Sequence, residues 1–251
     1  MKKLLSIALC ATAVSVFAGS TEALLGQVGV TAITSSHSNT IVAVSYDDLA
    51  GGSGMIVSNF VKTTNLTAGD QLAIFNNGTG TEGIYDTWVL RKNGNDVLYW
   101  ERNEKTYMVG TNGQLKVGTG TPASSITNAV GTGIWLVRKD PSKPFYIYGK
   151  PVSDPVSHIS ANTWTLVGNP TQETKVKIGP QPEGNVNTNA VVAGAQTGDQ
   201  IVTVGENGTL RYFVYVEGEG LGWTGELPDI DPGIGFWIRT QAATTITWPK
   251  E

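Results

Sequence analysis

The stretch "GTGIWLVR", from Gly131, returns about a hundred residues later as "GIGFWIRT", from Gly233, and it does not return alone. "NTIVAVS", residues 39 to 45, is echoed by "NTWTLVG", residues 162 to 168, and "TAGDQLAIF", from Thr67, by "QTGDQIVTV", from Gln196. Three landmarks in one order are the mark of an internal repeat, and they require that whatever the first half folds into, the second folds into as well. The separations are 123 residues from Thr40 to Thr163, 129 from Asp70 to Asp199 and 102 from Trp135 to Trp237. The first unit therefore carries extra residues between its Gly-Asp landmark and its Trp landmark. They fall around "ERNEKTYMVGTNGQLKVGTGTPASS", a polar, glycine-rich tract of the kind that makes surface loops or an added hairpin.

Each landmark reads as β structure. After the Gly-Asp pair the residues alternate into a strand, and Asp70 and Asp199 are placed to accept backbone hydrogen bonds at the turn. In the Trp landmarks the glycines permit positive φ or close backbone approach just before a strand. Trp135 and Trp237 then each fill the interior of one unit and close it. "RKNGNDV" and "GENGTLRYFVYV" set Asn-Gly between β-prone runs, the chemistry of tight hairpins. "LRYFVYV" is apolar on both alternating sets, which predicts a strand covered on both faces. The 31 glycines and the absence of any long helix-period run complete the picture. The expected fold is all-β: two tandem small β-sandwich or barrel-like units related by internal duplication. Residues 24–150 form the first unit with an inserted loop or hairpin, 151–160 ("PVSDPVSHIS") a linker, and 161–251 the second unit.

Residues 1–23 have the layout of a secretory signal peptide: Lys2 and Lys3, an apolar run from Leu4 to Ala18, and small residues before Ala18 and Ala23. The one cysteine, Cys10, lies inside that run, so the exported chain has no thiol and no disulfide and depends on its core. After the signal no long apolar segment follows that would make a transmembrane helix. The formal net charge of −4 becomes one unit more negative on loss of Lys2, Lys3 and Glu22, which disfavours nucleic acid as a partner. The expected location is secreted, at the cell surface, in the outer envelope or extracellular.

The layout resembles a loosely defined module of secreted bacterial proteins. In that module a "W-x-L-[VI]-[SG]-x-P" opening strand, a "GD-[QE]-[IL]" strand and a closing "G-x-G-[FY]-W-[IVL]" strand bracket a small all-β unit, often in tandem. "TWTLVGNP", "GDQIVTV" and "GIGFWI" of the second half match it; "TIVAVSY" of the first half lacks the opening Trp and Pro. The resemblance implies an envelope or extracellular location and no particular activity.

Reactive side chains are sparse. His37, in "ITSSHSNT", and His158 are the only histidines, and no nucleophile elbow accompanies the serines beside His37. Two separated histidines without cysteine do not make a zinc site. Calcium is the metal that the oxygen ligands suit: in "PDIDPG", Asp229 and Asp231 stand two apart ahead of Gly233, like the opening of a calcium loop. The plainer reading of that segment is a proline-bounded turn. Asp47, Asp48, Glu101 and Glu104 are open to a carboxylate pair for glycoside hydrolysis, with nothing to single them out. Of the seven tryptophans, Trp135, Trp164 and Trp237 are expected in the core, whereas Trp88, Trp100 and Trp223 flank hairpins and are the candidates for an exposed ligand surface. The leading expectation is a non-catalytic structural or assembly protein of a bacterial envelope or extracellular matrix that associates with itself. The segment "LLGQVGVTAITSS" would then be a strand free to add to a neighbour. The alternative is a carbohydrate-binding or adhesive surface module, with glycans as partners.

Overall fold

The structure, a computed structural model, describes residues 28–49, 54–56, 65–76, 84–102, 107–109, 115–117, 127–179, 192, 194–217 and 222–249. The signal peptide expected over residues 1–23 and Glu104 lie outside them. The described part is all-β and contains no helix, so none is long and apolar enough to cross a membrane.

The first half holds β1 (Gly29–Ile33), β2 (Asn39–Ala43), β3 (Met55–Ile56), β4 (Gln71–Asn76), β5 (Ile84–Lys92), β6 (Leu98–Arg102), β7 (Tyr107–Val109), β8 (Leu115–Val117), β9 (Thr127–Asn128), β10 (Gly133–Val137) and β11 (Phe145–Gly149). The second holds β12 (Val156–Ile159), β13 (Thr165–Gly168), β14 (Val176–Lys177), β15 (Gln200–Val204), β16 (Leu210–Val214), β17 (Asp229–Ile230), β18 (Gly235–Arg239) and β19 (Thr244–Thr247). All strand pairs are antiparallel. The main sheet of the first half runs β2-β10-β4-β5-β6, and that of the second β13-β18-β15-β16. The ribbons β1-β11 and β3-β9 of the first half have β12-β19 and β14-β17 at the same places in the second. Among the described residues β6 and the β7-β8 hairpin have no counterpart in the second half, and they lie between the Gly-Asp and Trp landmarks, where the first half is longer.

Pairing fixes which residues correspond. Trp135 faces Ile41 and Ala73 across the ladder, and Trp237 faces Leu166 and Val202. The Gly-Asp and Trp landmarks thus hold like ladder positions in the two halves. The opening strand does not: Thr40 lies opposite Leu136 and Thr165 opposite Ile238, so Thr40 answers to Thr165 and not to Thr163. A slip of two residues keeps every side chain on the same face, so alternation alone does not detect it. Two further expectations change. Residues 156–159, inside the expected linker, form β12 and pair with β19, and β1 pairs with β11 inside the same half. The N-terminal segment is therefore engaged within its own chain from Gly29 to Ile33.

Each main sheet covers an apolar core with one face. In the first half Leu72, Ile74, Trp88, Leu90, Ile134 and Leu136 meet Phe145 and Ile147 of the β1-β11 ribbon. In the second, Ile201, Phe213, Phe236 and Ile238 meet Ile246 and Trp248 near the β12-β19 ribbon. The opposite faces of the two sheets pack on each other through Ile41, Leu166, Val202 and Trp237, with Phe75, Trp135, Trp164 and Val204 around them. β18 is consequently buried along nearly its whole length, on both faces. The expectation that Trp135 and Trp237 fill the interiors of separate units is corrected here: they stand on the outward faces, where the sheets meet. Their neighbours in the strands, Ile134 and Phe236, fill the interiors instead.

Backbone joins the halves as well. Ala43 N–H donates to Gly233 O at 2.7 Å and Gly168 N–H to Gly131 O at 2.9 Å, a matched pair of contacts. Gly131 and Gly233 take φ of +87° and +77°, the left-handed region open to glycine, and turn their carbonyls toward the other half. At Gly168 a β-carbon would stand 2.6 Å from Ala43 Cα, and at Gly133 2.8 Å from Val167 O, so the sheets approach this closely only over glycine. Ser157 adds a side-chain tie, taking the Trp248 indole N–H at 2.9 Å and donating to Gly131 O at 3.0 Å, fully buried.

The turn chemistry follows the sequence. Asp70 accepts from the Thr67 and Lys139 amides, and Asp199 from the Gln196 and Gln241 amides, all between 2.7 and 2.9 Å. At the hairpin tips the Asn93 side chain accepts from the Asn95 and Val97 amides, and Asn207 from the Thr209 amide.

Candidate aromatic cleft

Where the two sheets separate, between the β4 side of one and the β15-β16 side of the other, an open cleft of about 630 Å³ remains. Its floor comes from Ala73, Val202, Trp135 and Trp237, the ladder neighbours described above, and its flanks from Phe75, Trp164, Leu210 and Tyr212. On the cleft side each large indole stands beside a smaller ladder partner, Trp135 beside Ala73 and Trp237 beside Val202. Phe75 meets Trp237 edge-on, with ring centroids 4.6 Å apart and planes at 89°, which holds Trp237 in place. Trp135 and Trp164 are half-buried, and Tyr212 is 64% exposed at the rim.

The chemistry of the wall is narrow. It offers aromatic faces, the Tyr212 hydroxyl and indole N–H groups. Among the described lining residues none is a carboxylate, histidine or lysine, and the Tyr212 phenol is the one side-chain O–H. Its volume and aromatic lining fall in the range usual for small-ligand sites.

The residues singled out from the sequence lie elsewhere. Trp88, Trp100 and Trp223 were expected on the surface and are instead core residues, 0%, 7% and 4% exposed. The sheet explains this: Trp88 and Leu90 share the inward face of β5, Trp100 lies opposite Leu90 on β6, and Trp223 is carried beneath β16 by its bridge to Tyr215. β16 departs from expectation in the other direction. Only Phe213 of its five residues is buried, and Leu210 and Tyr212 face outward into the cleft. Asp231 is engaged by Lys175 at 2.7 Å, which holds that ammonium above its ordinary pKa, and Asp229 lies in β17 opposite Lys177. Among the described residues no group of three or more acidic, histidine or cysteine side chains is placed to hold a metal ion. Glu101 pairs with Arg91 at 2.7 Å, and the Asp47 carboxylate caps the Gly54 amide. Ser35 donates to the main-chain carbonyl of His37 rather than to its ring.

The cleft was missed in sequence because it depends on which face of each sheet turns toward the other half. The signal that points to it is the alternation around the Trp landmark itself: "GIWLV" and "GFWI" are apolar on both faces, which means a second covering layer. Compared with protein-family models, with curated proteins and with solved structures, the chain matches none.

Proposed function

We propose that this chain is a secreted, non-catalytic binding module, built from two duplicated β-units, whose aromatic cleft takes up carbohydrate. The observation that carries the reading is the gathering of half-buried Trp135 and Trp164 with the exposed Tyr212 in one open cleft. The C–H face of a pyranose ring is apolar and slightly positive, and it matches the negative face of an indole or phenol, while hydroxyls on the sugar edge reach the rim and water. Duplication is supported by the like order of strands and by the matching contacts of Asp70 and Asp199. Export from the cell is supported by the lysine-and-apolar start of the sequence and by the resemblance to tandem β-modules of secreted bacterial proteins.

A glycan array followed by calorimetric titration tests it. Selective binding of one sugar class is expected, weakened tenfold or more in Trp135→Ala and Trp164→Ala and unchanged in Tyr99→Ala, which is remote from the cleft. No glycan bound, or binding indifferent to both tryptophans, overturns the reading.

A structural role through self-association keeps one specific support. β6 is the last strand of its sheet and exposes Tyr99, with Val97 beside it in the hairpin, and no strand among the described residues pairs with its outer edge, where a strand from a second copy would add. Sedimentation at rising concentration separates the two readings: a monomer throughout removes the assembly role.

A further inference from the structure

The two halves differ at one buried position in a way that leaves a space. In the first half Arg138, three residues after Trp135, is only 1% exposed. Its Nη2 donates to Asn65 O at 3.3 Å, and its guanidinium carbon lies 5.1 Å from the centre of the Phe145 ring. Burial pulls its pKa below the ordinary value, and the charges of Asp70 and Asp140 oppose that.

The position three residues after Trp237 is Thr240. The surroundings correspond one by one. Asp199 answers to Asp70, and Gly194, five residues before Asp199, answers to Asn65. Thr244, opposite the last residue of β12, answers to Phe145, opposite the last residue of β1. A cavity of about 130 Å³ lies in the second half, and Thr240, Asp199, Gly194 and Thr244 all line it, with Gln196 at its edge. In the first half the answering residues, Asn65 and Phe145, contact the Arg138 side chain. A water molecule takes about 30 Å³ in the liquid, so the space suits about four waters or one small organic group.

The wall is prepared for a donor. Thr240 is 3% exposed and its hydroxyl has no hydrogen-bond partner among the described residues. Asp199 is buried, and each of its oxygens accepts one backbone amide, which leaves lone pairs open on both. In the first half Thr67 gives Asp70 a further hydroxyl donor at 3.2 Å; Gln196 holds that place in the second half and has no hydroxyl to give. A buried carboxylate beside an open polar cavity is stabilised by a cation with several N–H donors. A metal ion fits poorly, because Asp199 is the one carboxylate among the described lining residues.

We infer that the pocket formed by Thr240, Asp199 and Gly194 binds the guanidinium group of a small molecule, in the place where the first half carries its own arginine. The full exported chain, titrated with methylguanidinium and followed by NMR at the Gln196 and Gln241 amides, tests this. Those two amides hold the Asp199 carboxylate and report any group that docks on it. Saturable shifts centred there are expected with methylguanidinium and not with tetramethylammonium, which has the charge and no N–H. Thr240→Arg, which supplies the group in cis, and Thr240→Leu, which fills the space with carbon, each weaken the response tenfold or more. Absence of saturable shifts in the unaltered chain overturns the inference whether or not the variants fold. An equal response to tetramethylammonium, or an undiminished response in folded Thr240→Arg, overturns it too.

Discussion

Asp70 and Asp199 carry the turn that starts the second strand of each main sheet, and each does so by holding two amides far apart in sequence. One amide lies three residues earlier; the other follows the Trp strand. Each carboxylate thus pins the end of β10 or β18 to the start of β4 or β15. Replacing Asp199 with Ala leaves the Gln196 and Gln241 amides without this acceptor, at a cost of about 1–3 kcal/mol for a buried unsatisfied group. Urea denaturation is expected to show that loss, with a smaller one in Asp199→Asn, which keeps one acceptor oxygen. At this scale much was readable in advance: Gly-Asp before an alternating run has few uses other than a turn with a side-chain acceptor. The role of Arg138 was not readable. Nothing in "WLVRKD" says that the arginine lies inward rather than in water, because that depends on Asn65 and Phe145 arriving from distant strands.

Strands β10 and β18 are the elements on which the molecule turns, since each faces a core on one side and the other sheet on the opposite side. Phe75 on β4 and Trp237 on β18 meet across that second layer, from different halves. A double-mutant cycle with Phe75→Leu and Trp237→Leu is expected to give a coupling energy of about 0.5–1.5 kcal/mol, the usual worth of an edge-on aromatic pair. Additive losses would mean that the rings do not support each other. Strand existence was legible here, and so were both hairpin tips, because Asn-Gly turns and alternation are local signals. Facing was not. Trp88 and Trp100 look like hairpin flanks in sequence, yet the period of two places them inward once Leu90 is fixed in the core. The same ambiguity hid the two-residue offset of the opening strand. It also made "LRYFVYV" look doubly covered when β16 ends one sheet and turns Tyr212 to the cleft.

In the whole molecule the sheets lie between three apolar layers, one core on each outer side and a shared layer in the middle. The cleft belongs to neither half, so a ligand that stacks on Trp135 and Tyr212 bridges both. The reciprocal amide contacts, Ala43 to Gly233 and Gly168 to Gly131, have an effect on melting. Either half released on its own would bare the middle layer and leave one of these amides without its acceptor, so partial opening is penalised and the halves lose structure together. Differential scanning calorimetry is expected to show one heat-absorption peak whose van't Hoff and calorimetric enthalpies agree. Two resolved peaks would show the halves to be thermally independent, linked like beads on a string instead of fused into a single cooperative body.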